Sequence, residues 1–186
     1  MHSSPTLGLA VTLLVLSAAG AGAQQTMACL DPVLEPPAGK ALVNLHRTTG
    51  PGQISVWQGD RFLTLLAAGT TIQVQCDPGE HLFIGSFGEG GRKGGLLARV
   101  EAGKSYDVLV KVNLALGVSL VPVKRGSRTW ERAPRLLEKA CLVEMMFPGM
   151  PEMSVGIDPP IDEVIRRFST GEWRGRLAML DPGDGR

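Results

Sequence analysis

The sequence predicts a mainly β protein, an antiparallel β-sandwich of immunoglobulin or prealbumin-like type closed by a short helical C-terminal tail. From 39 to about 123, apolar and polar residues alternate in short runs, the period of half-buried strands. Clusters of turn-forming residues break those runs, at Gln58-Gly59-Asp60-Arg61, Asp77-Pro78-Gly79-Glu80 and Ala102-Gly103-Lys104. Beyond 123 the apolar spacing lengthens to that of a helix, with Leu136, Leu137, Ala140 and Cys141 recurring after Pro134.

The elements follow in order. A signal peptide is expected over 1–23, because the apolar run 7–19 ends in the small residues Ala21-Gly22-Ala23 and the segment carries no Asp, Glu, Lys or Arg. That run is too short to span a bilayer, so the mature chain is expected to hold no transmembrane segment. An amino-terminal lead, 24–38, precedes a β-sandwich domain with a closing helix over 39–141. Strands are predicted at 41–46, 54–58, 62–66, 70–76, 81–87, 96–100, 105–112 and 118–123. In the seventh, Tyr106, Val108, Val110 and Val112 define a core face, with Asp107 and Lys111 on a wet one. In the turn before the fifth, Pro78 supplies the fixed φ and Gly79 the positive φ of a type II turn. Pro134 is placed in the first turn of the closing helix. A C-terminal extension, 142–186, carries a second short helix with Ile161, Val164, Ile165 and Phe168 on one stripe, after Asp158-Pro159-Pro160 and before Gly171. Residues 181–186 are expected to be disordered.

The residues Gly39-Lys40-Ala41-Leu42-Val43 leading to His46-Arg47, the turn Asp77-Pro78-Gly79-Glu80-His81 and Gly103-Lys104-Ser105-Tyr106 together resemble a bacterial envelope family. It is a small β-sandwich domain of unknown function, often found in lipoproteins. The resemblance covers roughly 36–140 and departs where Leu45 and Thr48 flank His46-Arg47. It implies a fold and an envelope location, and names no substrate or catalytic residue.

Composition narrows function by exclusion. A formal charge of +1 gives no electrostatic case for nucleic acid or an anionic membrane. The three cysteines lie beyond the signal peptide, in a compartment where disulfides persist. Cys76 shares the period of Ile72 and Val74 and is expected to be a buried free thiol. This leaves Cys29 and Cys141 as the candidate disulfide. Lipidation of Cys29 is less favoured, because Thr26-Met27-Ala28 lacks the usual aliphatic residue three positions upstream.

Catalytic, cofactor and metal sites are all expected to be absent. Gly103-Lys104-Ser105 ends like a phosphate loop but opens onto a strand, and Ala98 stands where that motif needs glycine. Cys76 and His81, expected opposite each other on paired strands, are read as structural and not as a thiolate–imidazole dyad. His46 and His81 show no metal-ligand spacing. The candidate interaction surface is Arg92 and Lys93 in a glycine-rich hairpin tip, Arg128, Arg132 and Arg135 in the closing helix, and Trp173 for a partner or sugar. The chain is thus expected to be a periplasmic or secreted interaction or accessory module that meets an envelope protein. A periplasmic binder of a small ligand or glycan is the alternative, and a hydrolase the third reading. Intact-mass measurement of the exported protein is expected to place its first residue at Gln24; a mass that includes 1–23, or a lipidated Cys29, would refute this.

Overall fold

The computed structural model describes residues 29–87, 93–112, 117–139, 141–143, 166–167, 169–170 and 177–186. The signal peptide, Arg92, Trp173 and residues 161–165 and 168 of the second helix expected in the C-terminal extension lie outside them, while Arg166 and Arg167 are helical.

The chain is mainly β, with little helix. Eight strands follow the predicted runs closely: β1 Ala41–Arg47, β2 Gln53–Gln58, β3 Arg61–Ala67, β4 Thr70–Cys76, β5 Gly79–Ser86, β6 Gly94–Val100, β7 Ser105–Val112 and β8 Val118–Pro122. Helix α1, Arg128–Lys139, comes next, then β9, Cys141–Leu142, and β10, Ala178–Leu180. The strands form two five-stranded sheets, ordered β8-β7-β1-β4-β9 and β10-β6-β5-β2-β3. Alternate residues of both sheets enter one apolar cluster: Val43, Leu45, Ile72, Val74, Tyr106 and Val108 from the first, Ile54, Val56, Leu63, Leu66, Phe83 and Leu96 from the second. Burying a side chain of this size is worth about 1.5–3 kcal/mol, so this cluster dominates the stabilisation.

Both sheets are mixed, which corrects the antiparallel expectation. β1–β7, β4–β9 and β10–β6 run parallel. The chain crosses between sheets after β1, β3, β4, β6 and β9, and a strand that returns to a sheet after such a crossover can run parallel to its new neighbour. The same crossing corrects the Asp77-Pro78 turn. β4 pairs with β1 and β9, and β5 with β2 and β6, so Cys76 and His81 end up in different sheets. The segment is a bend, not a closed type II hairpin turn, although Gly79 does take a positive φ, +134°.

Two further expectations change. Ser127, not a residue near Pro134, begins α1: its side-chain oxygen accepts the Trp130 N–H at 3.1 Å, an N-cap bond. Pro134 therefore falls inside the helix, where its missing N–H leaves the Trp130 carbonyl without its usual partner, and Cys141 has left the helix for β9. The end of the chain is ordered as well. β10 docks on β6 with Leu180 fully buried, and Pro182–Asp184 forms a 3-10 turn. A strand of three residues leaves no legible period, and its docking comes from the sheet edge that β6 offers. The disulfide joins Cys29 to Cys141 across 112 residues, and Cys76 is free and buried, as expected.

A Cβ at Gly79 would meet no atom within 4 Å, so substitution there strains only the backbone. Gly79→Val is expected to lower stability by about 1–3 kcal/mol in urea melts, with an unchanged fold by circular dichroism. A loss below about 0.5 kcal/mol would contradict the strain argument.

Candidate functional site: a polar row beneath a cleft

The face of the first sheet that points away from the apolar core was expected to be wet, yet Asp107 at its centre is 0 % exposed. α1, the lead near Val33 and the segment 181–186 flank this face, and they convert it into a second, polar interior. Strand register sets the polar row. Asn44 stands opposite both Gln73 and Asp107, and His46 opposite Thr71. Asp107 Oδ1 accepts from Asn44 Nδ2 at 3.0 Å and from His46 Nε2 at 2.8 Å. Because a carboxylate only accepts, the His46 proton sits on Nε2, and Nδ1 accepts from the Thr71 hydroxyl at 2.9 Å. Gln73 Nε2 donates to Asn44 Oδ1 at 2.9 Å, and the same amide bonds the Val33 N–H and carbonyl, fastening the lead to β4.

The other Asp107 oxygen, Oδ2, faces the Arg186 guanidinium in an ion pair. Arg186 also lies over the Trp130 ring, 5.1 Å from its centroid, within the range of a cation–π contact. Its backbone exchanges hydrogen bonds with Ser105 in both directions, at 2.9 and 3.0 Å. Lys124 Nζ ties the same segment to the end of β8, donating to Asp184 Oδ2 at 2.6 Å and to the Met179 carbonyl at 3.0 Å. Gly185 passes so close to the Tyr106 ring that a Cβ there would stand 2.8 Å from ring carbons. The segment is a fitted strap.

Above the row opens a cleft of about 560 Å³, walled by Val33, Leu34 and Pro36 of the lead and by Pro134 and Leu137 of α1, with Asn44, Ser105 and Arg186 at its polar side. Glu35 and Glu138 stand on its walls. A smaller hollow of about 170 Å³ beside it is lined by His46, Thr71 and Leu136, among others.

Hydroxyl, imidazole and carboxylate thus follow one another in the order of a nucleophile relay. Burial first, and the Arg186 charge second, hold His46 down to about 4. It is neutral at pH 7 and a weak base, and Thr71 is fully buried. The Cys76/His81 pair is separated by Gln58, whose Nε2 lies 3.5 Å from the Cys76 sulfur and 3.1 Å from His81 Nδ1. With Nδ1 accepting, His81 Nε2 donates to the Asp77 carbonyl at 2.7 Å. Burial pushes the Cys76 thiol up to about 11.

Of the residues singled out in the sequence, Arg128, Arg132 and Arg135 are exposed and share one face of α1, opposite the buried Ala133. Lys93 immediately precedes β6 of the second sheet. Asn44, His46, Thr71, Gln73, Asp107 and Arg186 were not anticipated as a cluster. The signal available was a charged residue, Asp107, on a valine-rich strand, together with the His46-Arg47 pair on another. Among the described residues, no group of His, Cys, Asp or Glu is arranged to hold a metal ion. No family model, curated protein or solved structure matches the chain.

The neutral His46 makes acid the weak side of this fold. Unfolded, the imidazole takes a proton near 6.5; folded, it does so only near 4, so the unfolded chain binds more protons in between and stability falls as pH drops through that window. The expected loss is on the order of 3 kcal/mol between pH 7 and pH 4, read by urea melts. His46→Gln is expected to flatten that part of the profile, and a wild-type profile flat from pH 6.5 to 4 would contradict it.

Proposed function

We propose that this chain is an exported, non-catalytic binding module of the bacterial envelope, an immunoglobulin or prealbumin-like sandwich whose cleft takes a small ligand. The observation that carries the reading is the cleft itself. It has apolar walls from two separate segments, the lead and α1, and a polar floor already fixed by hydrogen bonds, the usual makeup of a small-molecule site. Export is supported by the leader-like 1–23 and by the Cys29–Cys141 disulfide. Among the described residues, no helix is long and apolar enough to cross a membrane. A non-catalytic role is supported by a threonine without solvent access, a weak imidazole base and a thiol held protonated.

A second reading, an accessory module docking an acidic envelope protein, is favoured by the exposed Arg128, Arg132 and Arg135 face of α1. The two readings separate in one experiment. A panel of sugars, amino acids and amines is screened by thermal melting against wild type, Leu137→Trp and an Arg128/Arg132/Arg135→Gln triple variant. A cleft ligand at a hundred times its Kd is expected to add about 2.7 kcal/mol, or roughly 5–10 °C in Tm. Leu137→Trp, which fills the cleft, is expected to abolish the shift while the triple variant keeps it. Shifts that survive in Leu137→Trp would overturn the cleft reading.

A further inference from the structure

Behind Arg186, at the polar side of the cleft, the structure has the chemistry of a guanidinium site, and the chain fills it with its own side chain. Asp107 supplies a carboxylate that is fully buried and held in place through Oδ1 by Asn44 and His46, leaving Oδ2 for a cation. Trp130 supplies an aromatic face to the same cation. Among the described residues, the acidic side chains on the cleft walls are Glu35 and Glu138, and the cation lining it is Arg186. If the Arg186 side chain swings out, a negatively charged cleft with apolar walls remains, matched to a planar cation carrying an alkyl arm.

The side chain is free to do so without loss of the strap. The Arg186 side chain is 27 % exposed and lines the cleft. The strap is held independently, by the backbone pairing with Ser105 and by Lys124 on Asp184. We propose that Asp107, Trp130 and the cleft walls form a binding site for a small alkylguanidinium cation, which displaces the Arg186 side chain as its resident competitor. This rests on the cleft reading above and names its ligand class.

The test uses the full mature protein and methylguanidinium chloride at millimolar concentration, below the denaturing range, with tetramethylammonium chloride at equal ionic strength as control. Arg186→Ala is expected to melt below wild type and to regain most of the lost Tm with methylguanidinium, not with tetramethylammonium. Wild type is expected to bind the same probe at least roughly tenfold more weakly, because Arg186 must first leave. Asp107→Asn/Arg186→Ala is expected not to respond. If Arg186→Ala does not fold alone, refolding with and without the probe replaces the melt, and recovery only with methylguanidinium is the expected result. Equal effects of the two cations, or a response retained without Asp107, would overturn the proposal. Screening hits that are lost in Leu137→Trp but not displaced by methylguanidinium would overturn it too, while leaving the cleft reading standing.

Discussion

A carboxylate cannot be buried at the centre of a sheet unless donors surround it, and most of this structure's second layer answers that constraint. An unpaired charge at Asp107 would cost several kcal/mol. Asn44 and His46 supply neutral donors from the neighbouring strand, and Arg186 supplies the counter-charge from a segment almost eighty residues away in sequence. Each donor is itself tied onward: Asn44 to Gln73, His46 to Thr71, Arg186 to Ser105 and Trp130. The lead, the helix and the strap therefore meet around one carboxylate.

Arg47 plays a different part, one step further along β1. Its position faces the apolar interior, where it is buried, and its guanidinium donates to the carbonyls of Pro51, Gly52 and Leu66. Those acceptors belong to the β1–β2 connection and to β3 of the opposite sheet. Arg47 thus joins the two sheets at one end of the core through neutral acceptors, while Asp107 and Arg186 join the sheet to its cover through an ion pair. Adjacent residues, His46 and Arg47, serve opposite faces of one strand because strand side chains alternate.

The strands were legible because their alternation and their turns agree: 70–76 and 105–112 coincide with β4 and β7, and both cysteine states followed from period and elimination. What escaped has physical reasons. β9 and β10 are two and three residues long and pair parallel to distant strands, so no local period marks them. Pairing direction is set by how the chain crosses between sheets, not by composition. Alternation separated Asp107 from the core correctly, but it cannot distinguish a solvated face from one covered by a helix. The polar row was invisible for the same reason: its members are scattered over β1, β4, β7 and the strap, and only register brings them together.

Site and stability are one network here, since the cleft's floor is the same row that holds its walls. The central claim is that Asp107 and Arg186 are energetically coupled, the guanidinium compensating the buried carboxylate. The most direct test is a double-mutant cycle in urea with Asp107→Asn, Arg186→Gln and the pair combined. Strong non-additivity is expected, a coupling of about 1.5 kcal/mol or more. Losses that add to within about 0.5 kcal/mol would contradict it, and would mean that Asn44 and His46 alone satisfy the buried carboxylate.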